Sequence, residues 1–267
     1  VCRVINDDGS KFLLNLQLGE KTVFLTAWKV QVGRSVLYLL DTNVPENSPD
    51  DQGLSARLYS AGRETRLQQE YLLGVGGVRV LRALGVNPSV WHCNEGHTAF
   101  LLLERLREYM ASGEDIDTAA DKVKDNSVFT THTPVPAGHD TFELELMDRY
   151  FSHFRQSLKL ERDVFLSLGQ DSADDAFNMT ILGLKLAGKA NGVSRLHGQV
   201  SRSMWRSLYR AAEEKDVPIG YITNGIHVPT WVAPDIADIY KRYIGPDWAE
   251  RQDDAGLWQE ATAGIPD

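Results

Sequence analysis

From residue 87 onward the chain repeats one pattern: a short β-branched or aromatic run, a small polar turn, then an amphipathic stretch at helical spacing. Ser89–Cys93, Ser127–Thr131, Ala190–Ser194 and Pro218–Thr223 read as strands, and 98–110 and 198–209 read as helices. In 98–110, Phe100, Leu103, Leu106 and Met110 share one face. Strands alternating with helices predict an α/β fold, a Rossmann-like parallel sheet with flanking helices. A long helical stretch separates the second strand from the third. Upstream, residues 12–14, 22–25 and 35–40 read as strands broken at Gly19 and Gly33, and residues 41–53 as a loop.

Residues 66–84 read as a helix, with Leu67, Tyr71, Val75, Val78 and Leu81 at helical spacing and Gly85 as its C-cap. Gly74, Gly76 and Gly77 superficially suggest a phosphate loop. They fall inside the helical pattern rather than between a strand and a helix, so close packing is the better explanation.

The polar strand ends carry the chemistry. They are Asn94-Glu95-Gly96-His97, Thr131-His132-Thr133 and Thr223-Asn224-Gly225, with Asn191–Ser194 leading to His197. Ligands of open parallel sheets bind beyond the carboxyl ends of the strands, where helix N-termini also present free N–H groups. Amides, imidazoles and one carboxylate converging there suit a polyhydroxylated ligand. Each residue also has a plainer reading. Asn94 can simply cap a helix, with Glu95 favoured in its first turn. His132 taken alone reads as a core histidine, and Asn224-Gly225 as a turn dipeptide. A zinc site on His92, His97 and His132 lacks ligand spacing, and neither a GxSxG elbow nor a GxxxxGK[ST] loop is present.

Composition narrows the classes further. The 267 residues are 42% hydrophobic and 24% charged, enough apolar material for a real core. Lys and Arg number 28 against 37 Asp and Glu, a formal charge of -9 without a cationic block, which argues against nucleic acid as a partner. Two cysteines without a CxxC pair disfavour a disulfide scaffold and suit a reducing cytosol. The longest apolar run, Ala99–Leu103, is too short to cross a membrane. Both ends of the sequence look cut.

Together the segments resemble the α-glucan phosphorylase family, in its shorter bacterial and archaeal form. The matching stretches are Arg66–Tyr71, Trp91–His97, Val128–Gly138, Asn178–Thr180, Asn191–His197 and Tyr221–His227. The resemblance implies a retaining glycosyltransferase that cleaves α-1,4-glucan chain ends with inorganic phosphate to release α-glucose 1-phosphate. It implies that residues 1–267 are an incomplete N-terminal, glucan-binding domain of the two-domain GT-B architecture. The pyridoxal phosphate cofactor, whose phosphate relays a proton, is implied for a C-terminal domain absent from this sequence; no residue here is expected to bind it. A cytoplasmic enzyme is implied, and a homodimer is allowed for the full-length protein. Residue by residue, His132 is implied as catalytic, its backbone carbonyl facing the positive charge that develops on the sugar. Asn224 is implied to bind the glucose 6-hydroxyl, with Thr133 beside His132 and with Glu95 and His97 lining the cleft in support. No residue is carried over from the gate loop near residues 59–64. The chain alone is expected to be inactive. Rival readings are a glucan-binding module without catalysis and a nucleotide-sugar-dependent glucan synthase.

Overall fold

Two glycines at positive φ set the first layer, an antiparallel meander. Gly19 (φ 60°) and Gly33 (φ 55°) turn the chain between β2 (Leu14–Leu18), β3 (Lys21–Val32) and β4 (Ser35–Asp41). The computed structural model describes residues 1–57, 62–135, 138–171 and 175–262. Strand β3 changes partners along its length, pairing with β2 through Lys21–Leu25 and with β4 through Thr26–Val32. A short β1 (Cys2–Arg3) also pairs with β3. The expected strands at 12–14 and 22–25 are therefore displaced and extended, because register is fixed by the turn geometry rather than by the apolar runs. The loop expected over 41–53 contains one helical turn, α1 (Pro49–Gln52), started by Ser48 as N-cap and by Pro49.

The expected helix over 66–84 is present as α2 (Arg63–Tyr71), a π-helical turn (Leu72–Gly76) and α3 (Gly77–Ala83), closed by Gly85 at φ 70°. A Cβ on Gly74 would stand 2.7 Å from the Leu101 nitrogen, and one on Gly76 would stand 2.8 Å from a Leu25 methyl. Close packing therefore accounts for both glycines, and the π turn sits where they meet their neighbours. Gly77 faces open space.

The second layer is a parallel sheet of β5 (Trp91–Asn94), β6 (Ser127–Thr130), β9 (Lys189–Gly192) and β10 (Ile219–Tyr221), in the order β10-β9-β6-β5. Helices α5 (Ile116–Asp125) and α8 (Met179–Leu186) pack against it, and α4 (Phe100–Ala111) packs against both of these helices. Gly183 brings α8 down onto Phe129, 2.4 Å from where its Cβ would lie. The stretch expected to be continuously helical holds α6 (Leu144–Leu158) and α7 (Arg162–Ser167), but also a two-stranded antiparallel ribbon, β7 (Thr141–Glu143) with β8 (Ala176–Asn178). The ribbon is a correction, and its three-residue strands are too short for alternation to reveal them. Helix α9 (Arg195–Met204) starts three residues before the expected position because Ser194 caps it through the His197 N–H. Aromatic rings join α2, α4 and α6, and α7 to β8: Phe100 to Phe151 at 4.6 Å, Tyr71 to Phe151 at 5.1 Å and Phe165 to Phe177 at 6.1 Å.

The chain divides into two compact units, Val1–Ile222 and Thr223–Asp267. The second holds α10 (Val228–Trp231), α11 (Pro234–Tyr243) and α12 (Ala255–Thr262), with Tyr240 edge-on to Trp248 and to Trp258. Among the described residues no helix is long and apolar enough to cross a membrane. Cys2 is exposed and Cys93 buried, both as free thiols.

Candidate functional site

The polar turns that end β5 and β6 are joined by one side chain. Glu95 follows the last residue of β5, and its N–H donates to the Thr130 carbonyl at 2.8 Å. Its Oε2 accepts from the His132 N–H at 2.6 Å, the Thr133 N–H at 3.1 Å and the Thr133 hydroxyl at 3.1 Å. Its Oε1 accepts from the Gly96 N–H at 3.0 Å. To reach these donors Glu95 takes φ 74° and ψ 170°, a region populated almost entirely by glycine and costing a side-chain-bearing residue about 1–3 kcal/mol. Four hydrogen bonds to one carboxylate hold it there.

Around this clasp lies a cleft of about 570 Å³, lined by Asn94, Glu95, His97, His132, Thr133, Arg63, Arg66 and Asp140, with Gly62 and Gly138. Gly138 is required where it stands, since a Cβ there would come within 2.6 Å of the Thr133 methyl. Arg66, from α2, is gripped on both sides: its Nε meets Glu70 Oε1 at 2.7 Å and its Nη2 meets Asp140 Oδ2 at 3.0 Å. Glu70 is buried, and loss of solvation, reinforced by the charge of Asp140, pushes its carboxyl up to about 9. Burial thus favours the neutral form of the Glu70 carboxyl, and Asp140 supplies counter-charge for Arg66. Burial, and next the Arg66 cation, lower the pKa of His97 and favour its neutral imidazole. The cleft thus offers one guanidinium held by carboxyl groups, the Glu95 and Asp140 carboxyls, the Asn94 amide and imidazole nitrogens. Such a set pairs hydroxyl donors and acceptors in turn.

Four of the five expected site residues, Glu95, His97, His132 and Thr133, meet in this cleft. Asn224 belongs to the second unit, on the exposed segment that opens it. His197 does not line the cleft. It is buried at the start of α9, its Nδ1 accepting from the Val193 N–H at 3.2 Å. His92 bonds Thr130 Oγ1 at 2.7 Å, and that hydroxyl donates to Asn191 Oδ1 at 3.1 Å, tying three strands together. Sequence reasoning missed the cleft roles of Arg66 and Asp140. The i,i+4 pair Arg66–Glu70 was visible on a helix; the approach of Asp140 across 74 residues was not. Of the gate loop, residues 59–61 lie outside the described residues, as do Pro136 and Ala137 of the motif beginning at Val128.

No family model matches the chain. Its sequence is 41% identical to the maltodextrin phosphorylase of Thermococcus litoralis, over 98% of this chain and 31% of that protein. It is 43% identical to the glycogen phosphorylase of Mycobacterium tuberculosis, over 92% of this chain and 30% of that protein. With the glycogen phosphorylase of Aquifex aeolicus it shares 35% identity over its full length and 38% of that protein. The chain is homologous to the maltodextrin and glycogen phosphorylases. It spans about a third of the length of these phosphorylase relatives, and the cleft is formed within that shared third.

Proposed function

We propose that this chain is the glucosyl-handling stretch of an α-1,4-glucan phosphorylase. The enzyme would transfer the terminal glucosyl unit of glycogen, starch or maltodextrin to inorganic phosphate with retention, releasing α-glucose 1-phosphate. The observation that carries this reading is the Glu95 clasp. The chain has no cis peptide bond among its described residues, so the His132 carbonyl lies antiparallel to the Thr133 N–H in a planar trans unit. Since Glu95 holds that N–H, the carbonyl is directed away from the carboxylate. An amide whose N–H is bonded to an anion also carries more negative charge on its oxygen. A fixed, electron-rich carbonyl suits the positive charge that develops on a departing glucosyl ring, and needs no reorganisation as the charge appears.

In this reading His132 is the catalytic residue through its backbone, and Glu95 is the positioning residue behind it. Thr133 completes the clasp with its hydroxyl, neutral His97 lines the sugar cleft, and Asn224 hydrogen-bonds the glucose 6-hydroxyl. Residues 1–267 then form part of the N-terminal, glucan-binding domain of a cytoplasmic GT-B enzyme, which in full length is allowed to be a homodimer.

In this reading pyridoxal phosphate, when bound, would supply proton-relay chemistry to the substrate phosphate. No lysine lines the cleft among the described residues, so a Schiff base does not fit there, and the cofactor is assigned to polypeptide outside this chain. The test is phosphorolysis by an enzyme in which these residues replace the matched stretch of the Thermococcus litoralis phosphorylase, given maltoheptaose and phosphate with and without pyridoxal phosphate. Cofactor-dependent glucose 1-phosphate, lost in Asn224→Ala, supports the reading. Absence of glucose 1-phosphate from a folded, cofactor-loaded chimera would end it.

A further inference from the structure

Of the stretches that carry the phosphorylase resemblance, Asn178-Met179-Thr180 lies outside the cleft, yet each of its residues is bound to the segment that supplies Asp140. Thr141 pairs with Asn178 in the β7–β8 ribbon. The Met179 N–H donates to the Asp140 carbonyl at 3.0 Å. Thr180 Oγ1 stands 2.8 Å from His139 Nδ1. Three consecutive residues thus meet three others in antiparallel order, and the register of the ribbon runs on past its strands into the first turn of α8. Asn178 allows that change of backbone, because its Oδ1 accepts the Thr180 and Ile181 N–H groups at 2.9 and 3.2 Å and caps the helix.

Alternation along such a pairing sends neighbouring side chains to opposite faces. His139 and Thr180 are buried, whereas the Asp140 carboxylate turns out to the cleft, where its Oδ2 meets Arg66 Nη2 at 3.0 Å. Met179 also supports the turn that follows Glu95, since a Cβ on Gly96 would come within 3.0 Å of the Met179 Cβ. A slip of one residue would reverse the faces, putting an imidazole in the cleft and burying a carboxylate.

The bond that opposes this slip has a defined direction. His139 Nε2 lies 3.3 Å from the Met204 sulfur, and a thioether accepts but cannot donate. Nε2 therefore carries the imidazole proton, Nδ1 of the neutral ring is bare, and the Thr180 hydroxyl donates to it. Burial lowers the His139 pKa, against the pull of the Glu95 and Asp140 charges, and favours this neutral ring. Trp205 packs edge-on against it at 5.1 Å.

We propose that Thr180 and His139 are positioning residues of the sugar cleft: their hydrogen bond fixes the register of 139–141 on 178–180 and so presents the Asp140 carboxylate, rather than the imidazole, to Arg66. The inference rests on the phosphorylase reading for what the cleft holds, and adds to it two buried residues that touch no substrate.

Phosphorolysis by the Thermococcus litoralis chimera tests the role, and NMR of the same folded protein tests the geometry without turnover. Thr180→Val keeps the side-chain shape and removes the hydroxyl. It should lower kcat/KM for maltoheptaose at least about tenfold, and Thr180→Ser should recover most of that loss. Beside Asp140→Asn, Thr180→Val should cost less than about threefold, because the carboxylate it positions is already gone. Equal losses in the Val and Ser variants, or an undiminished loss beside Asp140→Asn, would overturn the proposal, since a purely structural residue gives either. The imidazole nitrogen spectrum should show Nε2 protonated and Nδ1 bare, and the Met179 amide should exchange at least about tenfold faster in Thr180→Val. A proton on Nδ1, or unchanged exchange, would also overturn it. If Thr180→Val does not fold, His139→Asn and His139→Gln decide. Asn places its amide near the Nδ1 position and Gln near that of Nε2, so Asn should retain at least about threefold more kcat/KM; equal or reversed values would count against the proposal. A parent chimera that makes no glucose 1-phosphate would sink the enzymatic reading and leave the register to be judged by the spectrum and the exchange. Turnover with the opposite tautomer would do the reverse.

Discussion

Glu95 Oε2 accepts the His132 backbone N–H at 2.6 Å, across 37 residues of sequence, and it does so from a backbone conformation that an L-residue rarely adopts. The strain at Glu95 and the order of the Thr131–Thr133 turn are thus two sides of one arrangement. Charge-assisted hydrogen bonds contribute about 1.5–3 kcal/mol each where they are shielded, against about 1–3 kcal/mol of backbone strain. Glu95→Ala loses the bonds and keeps the strain, so it should cost about 2–3 kcal/mol by denaturant melting. Glu95→Gly loses the bonds and relieves the strain, and should stay within about 1 kcal/mol of the parent. In both, the His132 and Thr133 amides should exchange at least about tenfold faster. Unchanged exchange would show that the turn is ordered without the clasp.

The same geometry separates backbone from side chain at His132. If the carbonyl acts, His132→Ala in the chimeric enzyme should reduce kcat by only about tenfold. Glu95→Ala, which frees the carbonyl, should reduce it by about 100-fold, the scale of a misplacement near 1 Å. Steady-state phosphorolysis with maltoheptaose measures both, and the opposite ranking would assign the work to the imidazole.

Gly74 and Gly77 should respond in opposite senses to alanine. Gly74→Ala puts a methyl 2.7 Å from the Leu101 nitrogen and the Phe100 Cβ, where backbone cannot yield cheaply, and should cost about 2–3 kcal/mol. Gly77 has helical φ -58° and ψ -46° and open space where its Cβ would go. Gly77→Ala should therefore stabilise by about 0.5–1 kcal/mol. Thermal melts of the two variants provide the comparison.

Glu70 makes stability depend on pH in a definite direction. Its carboxyl is pushed up to about 9 in the folded chain, chiefly by burial, against about 4.3 in an unfolded one. Between these values the folded state holds the extra proton, so this group lowers stability as pH rises through that window. Glu70→Gln stays neutral throughout. Relative to the parent, the variant should gain at least about 1 kcal/mol between pH 5 and pH 9 in urea titrations, and parallel pH profiles would refute the assignment.

The reading of the fold from sequence succeeded where local chemistry decides. The strand-turn-helix pattern after residue 87 gave a parallel sheet because apolar periodicity and small polar turns are properties of neighbouring residues. Gly85 closed its helix, and Gly74 and Gly76 proved to be packing glycines. It failed where the deciding partner is distant. The β7–β8 ribbon pairs Thr141 with Asn178, and the long β3 draws its register from two different strands; neither leaves a periodic trace.

The site divides along the same line. The amino-acid sequence by itself determined which chemistry is available, namely a glutamate, two histidines and a threonine set after strands whose carboxyl ends face one way. Chain direction and side-chain type require no partner to be defined. Only the tertiary structure decided what each residue does with that chemistry. It turned Glu95 from a candidate helix-turn carboxylate into the clasp on His132, placed Arg66 between Glu70 and Asp140, and withdrew His197 into the interior. Each of those roles depends on a hydrogen bond or a desolvation that exists only once residues far apart in the chain are packed together.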